Sequence, residues 1–357
     1  MRTGTARLPL HGGKAPRWLF DRMKLLAREI SLAVCGEYGT EGYLEKISDP
    51  FWFQAFGCVL GFDWHSSGVT TTVCGALKAA LEDAGKEVGL FVCGGKGATS
   101  RKTPSELESL AEKRLVDADP EKLVYASRMS AKVDNTAVQD GYQLYHHTFL
   151  VDRSGRWAVV QQGMNADSRW ARRYHWLGSR VADFVCEPHS AVCCDQRNEA
   201  LNMVDRKSAR ARTLTAELAR RDPVKTVSEY KRIDSLRLSS RHHVTKRDIR
   251  PENLKKILLG SYRKVPANFE QLLGLRGVGP ATIRALALIS ELVYGAKPSF
   301  RDPARFSFAH GGKDGHPYPV NRQVYDSSID FLRRAVSKAR IGSTDKMKAF
   351  KRLSRYG

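Results

Sequence analysis

Between Leu272 and Gly295 the sequence LLGLRGVGPATIRALALISELVYG leaves the chain few options. Two apolar runs with helical spacing are separated only by Arg276-Gly277-Val278-Gly279-Pro280, so two helices must meet at a very short corner. The spacing predicts a helix from about residue 268 to 274, a hairpin over 275–279 and a second helix over 280–294. Gly277 and Gly279 carry no Cβ and tolerate positive φ, which lets the corner backbone approach another surface closely. Pro280 suits the first turn of a helix, where no N–H partner is lost. Hairpin amides and a helix N-terminus together form a cradle for an anion such as a phosphate. The competing reading is an ordinary corner between two packed helices.

Charge favours the cradle. The 357 residues hold 59 Lys+Arg against 38 Asp+Glu, a net charge of +21. Residues 1–200 contain 25 basic and 24 acidic side chains, leaving 34 and 14 for residues 201–357, so +20 of the excess lies in the second part. Self-repulsion of that size destabilises a compact chain and points to an anionic partner. Nucleic acid, with DNA preferred over RNA, is the leading partner, because phosphates reward each added cation through counterion release. No apolar stretch of about 18 residues suggests a membrane span. The first residues, MRTGTARLPLHGGKAPRW, lack a secretory apolar core. Seven cysteines without a CxxC pair argue against a disulfide framework and for a reducing, cytoplasmic setting.

The texture changes near residue 200. Before it, helical spacing runs from Pro16 to Val34, and an aromatic helix is expected after an Asp49 cap. KEVGLFVCGG reads as a strand ending in glycines, and two β-rich runs flank Asp152-Arg153-Ser154-Gly155 as a hairpin. After it, the chain is basic and helical, with a break at Asp222-Pro223. The expected architecture is a mixed α/β (α+β) N-terminal domain over 1–204 and a basic helical connector over 205–264. An all-α C-terminal domain containing a helix-hairpin-helix would follow over 265–357. Arg276, Gly277, Val278, Gly279, Thr282 and Arg284 are the nucleic-acid-binding residues expected there. In the N-terminal part, Lys96 of CGGKGATSRK and Arg169, Arg172 and Arg173 of RWARRYHW add cations beside glycines or aromatics, as base-stacking surfaces do. A helix with solvated arginines and core-facing aromatics is the alternative for RWARRYHW.

Three resemblances add expectations about chemistry. Over about 40 residues the corner resembles the helix-hairpin-helix DNA glycosylases, which implies a catalytic acid near Asp302; Ala281 stands where lyase-type members carry lysine. HHTFLVDRSGRWAVVQQGMN is similar to the strand-turn-strand of the phospholipase D superfamily. That resemblance implies His146 as nucleophile and Asn165 as phosphate ligand, although Thr148 replaces the expected lysine. A single copy implies a site shared across a homodimer. His65, within DWHSSGVTTT, is a further catalytic candidate for phosphate or metal chemistry. Where cleavage uses an activated water, a divalent metal such as Mg2+ or Mn2+ is the expected cofactor, with ligands the sequence does not name. His310, Lys313, Asp314 and His316 form a reactive polar loop after Asp302. Finally, LPLHGGKAPRWLFDRM, WAVVQQGMN, ARRYHW and FAHGGKDGHPYPVNRQVYD resemble the conserved prokaryotic family called domain of unknown function 763 nearly end to end. Phosphodiester cleavage of duplex or structured DNA in repair is the expected activity. A non-enzymatic DNA or RNA binder and base excision without lyase activity are the alternatives.

Overall fold

The computed structural model describes residues 16–61, 67–194, 196–236, 244, 246, 248–304, 330 and 332–353. Its centre is a five-stranded antiparallel sheet in the order β1-β3-β4-β5-β6, with strands Leu90–Lys96, Gln143–Asp152, Trp157–Asn165, Trp170–Leu177 and Ala191–Cys193. The shorter β2 (Val138–Gln139) pairs with β7 (Leu201–Asn202). The Asp152–Gly155 turn joins β3 and β4 where hairpin chemistry placed it, closed by Arg156 N–H on the Asp152 carboxylate at 3.0 Å.

Both faces of the sheet are covered, so its strands are buried almost throughout. Leu90, Leu150, Ala158, Val160 and Leu177 face one apolar core with helices α1 (Arg17–Ser48), α2 (Pro50–Leu60) and α3 (Gly68–Val88). Phe149, Val151, Val159, Tyr174 and Trp176 face a second core with α4 (Thr103–Glu112) and α5 (Pro120–Lys132). Asp49 caps α2 as expected, accepting from Phe51 N at 2.8 Å. The helix break also falls in place: α6 (Ala209–Arg220) ends before Asp222, and α7 (Pro223–Ser235) starts at Pro223.

The fold is mixed α/β, but the expected three-way division of the chain is not how its cores are built. Helices α8 (Pro251–Lys264), α9 (Phe269–Gly274) and α10 (Pro280–Leu292) join the same core as β3–β5 and α5. The reason lies in α10, whose residues 285–290 are all buried. A helix apolar on every side must be covered on every side. It packs on α6, α7 and α8 and also on the five-residue π-helix Val133–Ala137 that ends α5. The link is also made by backbone, since Asn202 N–H donates to Ser299 O at 2.9 Å. The last helices, α11 (332–338) and α12 (Ser343–Leu353), instead join the opposite core through Leu332, Val336 and Leu353. No helix among the described residues is long and apolar enough to cross a membrane.

Candidate functional site

Antiparallel pairing gathers several expected contact residues at one end of the sheet. Lys96 ends β1 opposite His146, Gln143 begins β3 opposite Met164, and Asn165 ends β4 opposite Trp170. Exposed Arg169 lies in the following turn, with φ +58°. The start of α10 is tied to this end through Gln139, whose Nε2 donates to Pro280 O at 3.0 Å while its Oε1 accepts from Arg284 Nη1 at 2.9 Å. Between them lies a cleft of about 410 Å3 lined by Gln139, Gly141, Tyr142, Gln143, Pro280 and Arg284.

The corner itself is rigidly seated and open outward. Val278 is buried as an apolar anchor, and the carbonyls of Val278 and Leu275 accept from Lys132 Nζ at 2.5 and 3.4 Å. Burial lowers the Lys132 pKa. Gly277 needs its glycine, at φ +91°. Gly279 does not use its tolerance of positive φ, being extended at φ −131°, ψ −174°, a conformation any residue adopts. A Cβ added at Gly279 would meet nothing within 4 Å. Gly279 is the N-cap of α10 and offers no side chain to the first-turn amides. Arg276 is exposed beside it, Thr282 is buried beneath, and Arg284 is half-buried.

Arg172 and Arg173 are placed quite differently from the expected surface. All of RWARRYHW after Arg169 lies in β5, an inner strand, and Arg172 and Arg173 point to opposite faces with no exposed side-chain surface. Arg172 donates to Asp140 Oδ2 at 2.7 Å, Asp302 Oδ2 at 2.8 Å and Gln196 O at 3.0 Å, and lies 4.4 Å from the Tyr142 ring centroid. Arg173 donates to His175 Nε2 at 2.9 Å and Gln54 Oε1 at 3.1 Å, over the Phe53 ring. Neither guanidinium faces solvent, so neither reaches a nucleic acid in this conformation. Asp302 is an organising carboxylate, accepting also from Asn198 N at 2.8 Å and Ala304 N at 2.7 Å.

Among the described residues the catalytic candidates His146, Asn165 and Asp302 do not converge. His146 is 1% exposed, and its Nε2 meets Thr148 Oγ1 at 2.9 Å while its buried Nδ1 has no partner among the described residues. It pairs with Gln162, and Asn165 lies three residues further along β4, so alternation turns Asn165 to the other face. Asn165 Oδ1 accepts from Asp167 N and Ser168 N, which closes the β4–β5 turn. His65 and the His310–His316 loop lie outside the described residues. Cys193 and Cys194 are buried and Cys186 is half-buried; burial pushes the Cys193 thiol up to about 12. No group of three or more metal-ligating side chains is gathered among the described residues.

Around His146 a polar cluster fills the α2–α3 side of the sheet. Thr70 Oγ1 donates to Gln162 Oε1, and Gln162 Nε2 donates to Tyr145 Oη and to Ser67 O. On the opposite face Ser127 Oγ meets His147 Nε2 at 2.9 Å, and His147 Nδ1 meets Gln161 Oε1 at 2.8 Å. Gln161 Nε2 then donates to Asp134, which also pairs with His189. Burial raises the Asp134 pKa, while His189 opposes the shift. Asp134, like Lys132 and Gln139, escaped the sequence reading. The signal available was the polar run Asp134, Asn135, Gln139 and Asp140 between a helix and a strand.

Burial pushes His146 down to about 3 and His147 down to about 4, from an ordinary 6.5. A depressed histidine leaves the unfolded chain binding more protons between the folded and unfolded values. Its contribution to stability is therefore complete above about pH 6.5 and falls as pH drops toward 4, by at most about 1.4 kcal/mol per pH unit per histidine. Urea melts from pH 7 to 5 should show this slope, and His147→Gln should flatten it. An unchanged slope in the variant would refute the assignment.

A family model described as a protein of unknown function (DUF763) matches residues 4–320. No curated protein and no solved structure matches the chain.

Proposed function

The chain belongs to the DUF763 family, and on that footing we propose that it is a DNA-binding protein that grips the phosphate backbone at the Leu275–Gly279 corner. One observation carries the reading: Gly279 is a glycine that neither its backbone angles nor its neighbours require. An N-cap accepts glycine readily, a group that approaches the backbone closely would also account for it, and the N-terminus of α10 favours an anion there. The corner is then a helix-hairpin-helix used for contact. Exposed Arg276, Lys96 and Arg169 flank or extend the surface, and the +20 of residues 201–357 supplies the surrounding field. Contacts of this kind position a duplex without reading its sequence.

Binding carried by phosphates must weaken steeply with salt. Fluorescence anisotropy on a labelled duplex should show affinity falling by roughly 10³-fold or more between 50 and 200 mM salt, as expected for six or more phosphate contacts. A salt-independent affinity would reject the reading. An equal-length RNA duplex should bind more weakly.

Phosphodiester cleavage is the second reading, favoured by the buried His146, Gln162, Thr70 and Arg173 cluster, which is more polar than a core requires. Incubation with single-stranded, duplex, nicked and branched DNA, with and without Mg2+ or Mn2+, tests it. Strand breaks before alkali treatment that vanish in His146→Ala or His65→Ala would support it. Breaks only after alkali would instead indicate base excision, and intact shifted DNA would leave binding alone.

A further inference from the structure

On the α4–α5 side of the molecule lies a surface unlike the basic one. A cavity of about 590 Å3 is walled by Tyr125, Trp157 and Phe184, with Asp119, Glu121 and Lys122 at its rim. The aromatic wall is built in. Trp157 stacks on buried Phe149 at a centroid distance of 5.4 Å, and Phe184 lies 7° from parallel to Trp157 at 6.2 Å. Tyr125 meets Phe184 edge-on at 5.7 Å and is 43% exposed. Gly178 admits the wall, because a Cβ there would stand 2.6 Å from the Trp157 ring.

The charge beside this wall is acidic. An adjoining cavity shares Asp119 and adds Glu108, Glu112 and Asp117. Among the described residues none of these carboxylates, nor Glu121, forms an ion pair, although the chain carries 59 Lys and Arg. Planar aromatic faces edged by carboxylates suit a cation. Guanidinium suits them best, being planar, weakly hydrated and able to stack.

We propose that this cavity docks an arginine-rich segment of a partner protein, one guanidinium lying in the cavity against the wall of Tyr125, Trp157 and Phe184 while the carboxylates hold its neighbours. Tyr125 and Glu121 also line a neighbouring cavity with Arg276 of the corner, so the two surfaces adjoin, but the proposal rests on the aromatic wall and the carboxylates and does not depend on DNA binding.

The test uses the full chain and a fluorescein-labelled Gly-Arg repeat peptide at 150 mM salt, beside the same peptide with citrulline for arginine. The arginine peptide should bind, and the neutral one should bind about tenfold more weakly or not at all, the scale of one lost cation–aromatic contact. Phe184→Ala should weaken binding by a similar factor. Tyr125→Leu, at an exposed position, serves where Phe184→Ala disturbs folding. The paired substitution Glu108→Gln and Glu121→Gln should weaken binding and reduce its salt dependence, while Gly279→Ala should leave it unchanged. Equal affinity for both peptides, no binding, or indifference to Tyr125→Leu would overturn the proposal. So would self-association in sedimentation that Phe184→Ala abolishes, which would make a second copy the occupant.

Discussion

Gly279→Ala is expected to weaken duplex binding by at least about tenfold while barely changing the melting temperature. The added methyl enters open space at a backbone conformation alanine adopts freely. Replacing an N-cap glycine by alanine costs only around a few tenths to 1 kcal/mol. A phosphate lying against the corner would meet that methyl and lose contact with the first amides of α10. One hydrogen bond to a charged group contributes about 1.5–3 kcal/mol, which corresponds to roughly ten- to a hundredfold in affinity. Gly277→Ala is the poorer probe, because φ +91° strains any side chain there and mixes stability with binding. Arg276→Ala should instead reduce the salt slope by about one phosphate contact and weaken all sequences alike. Anisotropy and thermal melts on the same samples decide the matter: binding untouched by Gly279→Ala would reduce the corner to packing.

What the sequence made legible depended on how local its causes were. The Asp49 cap, the Asp152–Gly155 turn, the break before Pro223 and the corner at Leu275–Gly279 each arise from residues within one turn of each other. Such causes are visible in a short window. β5 shows the opposite case. Arginine is almost never fully buried unless paired, so a window holding Arg172 and Arg173 reads as surface. The groups that allow their burial are remote: Asp140 and Asp302 for one, Gln54 for the other. The same distance hid the shared core, since part of the covering of α10 comes from a π-helix more than 140 residues earlier. Among the site residues, Lys132 and Gln139 act on the corner from that remote segment, and nothing near Gly277 announces them. Gly279 was legible as a glycine, but only its geometry separates a contact position from a packing one.

Arg172→Met should produce the largest loss of stability, about 3–5 kcal/mol, the range seen when one partner of a buried ion pair is removed. The guanidinium joins Asp140 on the sheet side to Asp302 after α10, and both carboxylates are nearly inaccessible to water. Without it they remain buried beside each other, with Tyr174 Oη donating to Asp140 Oδ2 at 2.8 Å as residual compensation. Asp302→Asn separates this architecture from a catalytic role. Asp302 accepts from Arg172, Asn198 N and Ala304 N, and an amide can keep only part of that pattern. A loss of about 1–3 kcal/mol is therefore expected, as for a buried hydrogen-bonded charge left partly unmet. A catalytic acid would behave in the opposite way: Asp302→Asn would abolish alkali-labile products while the chain melted as before. Combining Arg172→Met with Asp302→Asn adds a further discrimination. Residues of one network couple, so the double variant should lose less than the two single losses together. Simple additivity in urea melts would mean that Asp302 holds its loop independently of Arg172, and the bridge between sheet and corner helices would have to be sought elsewhere.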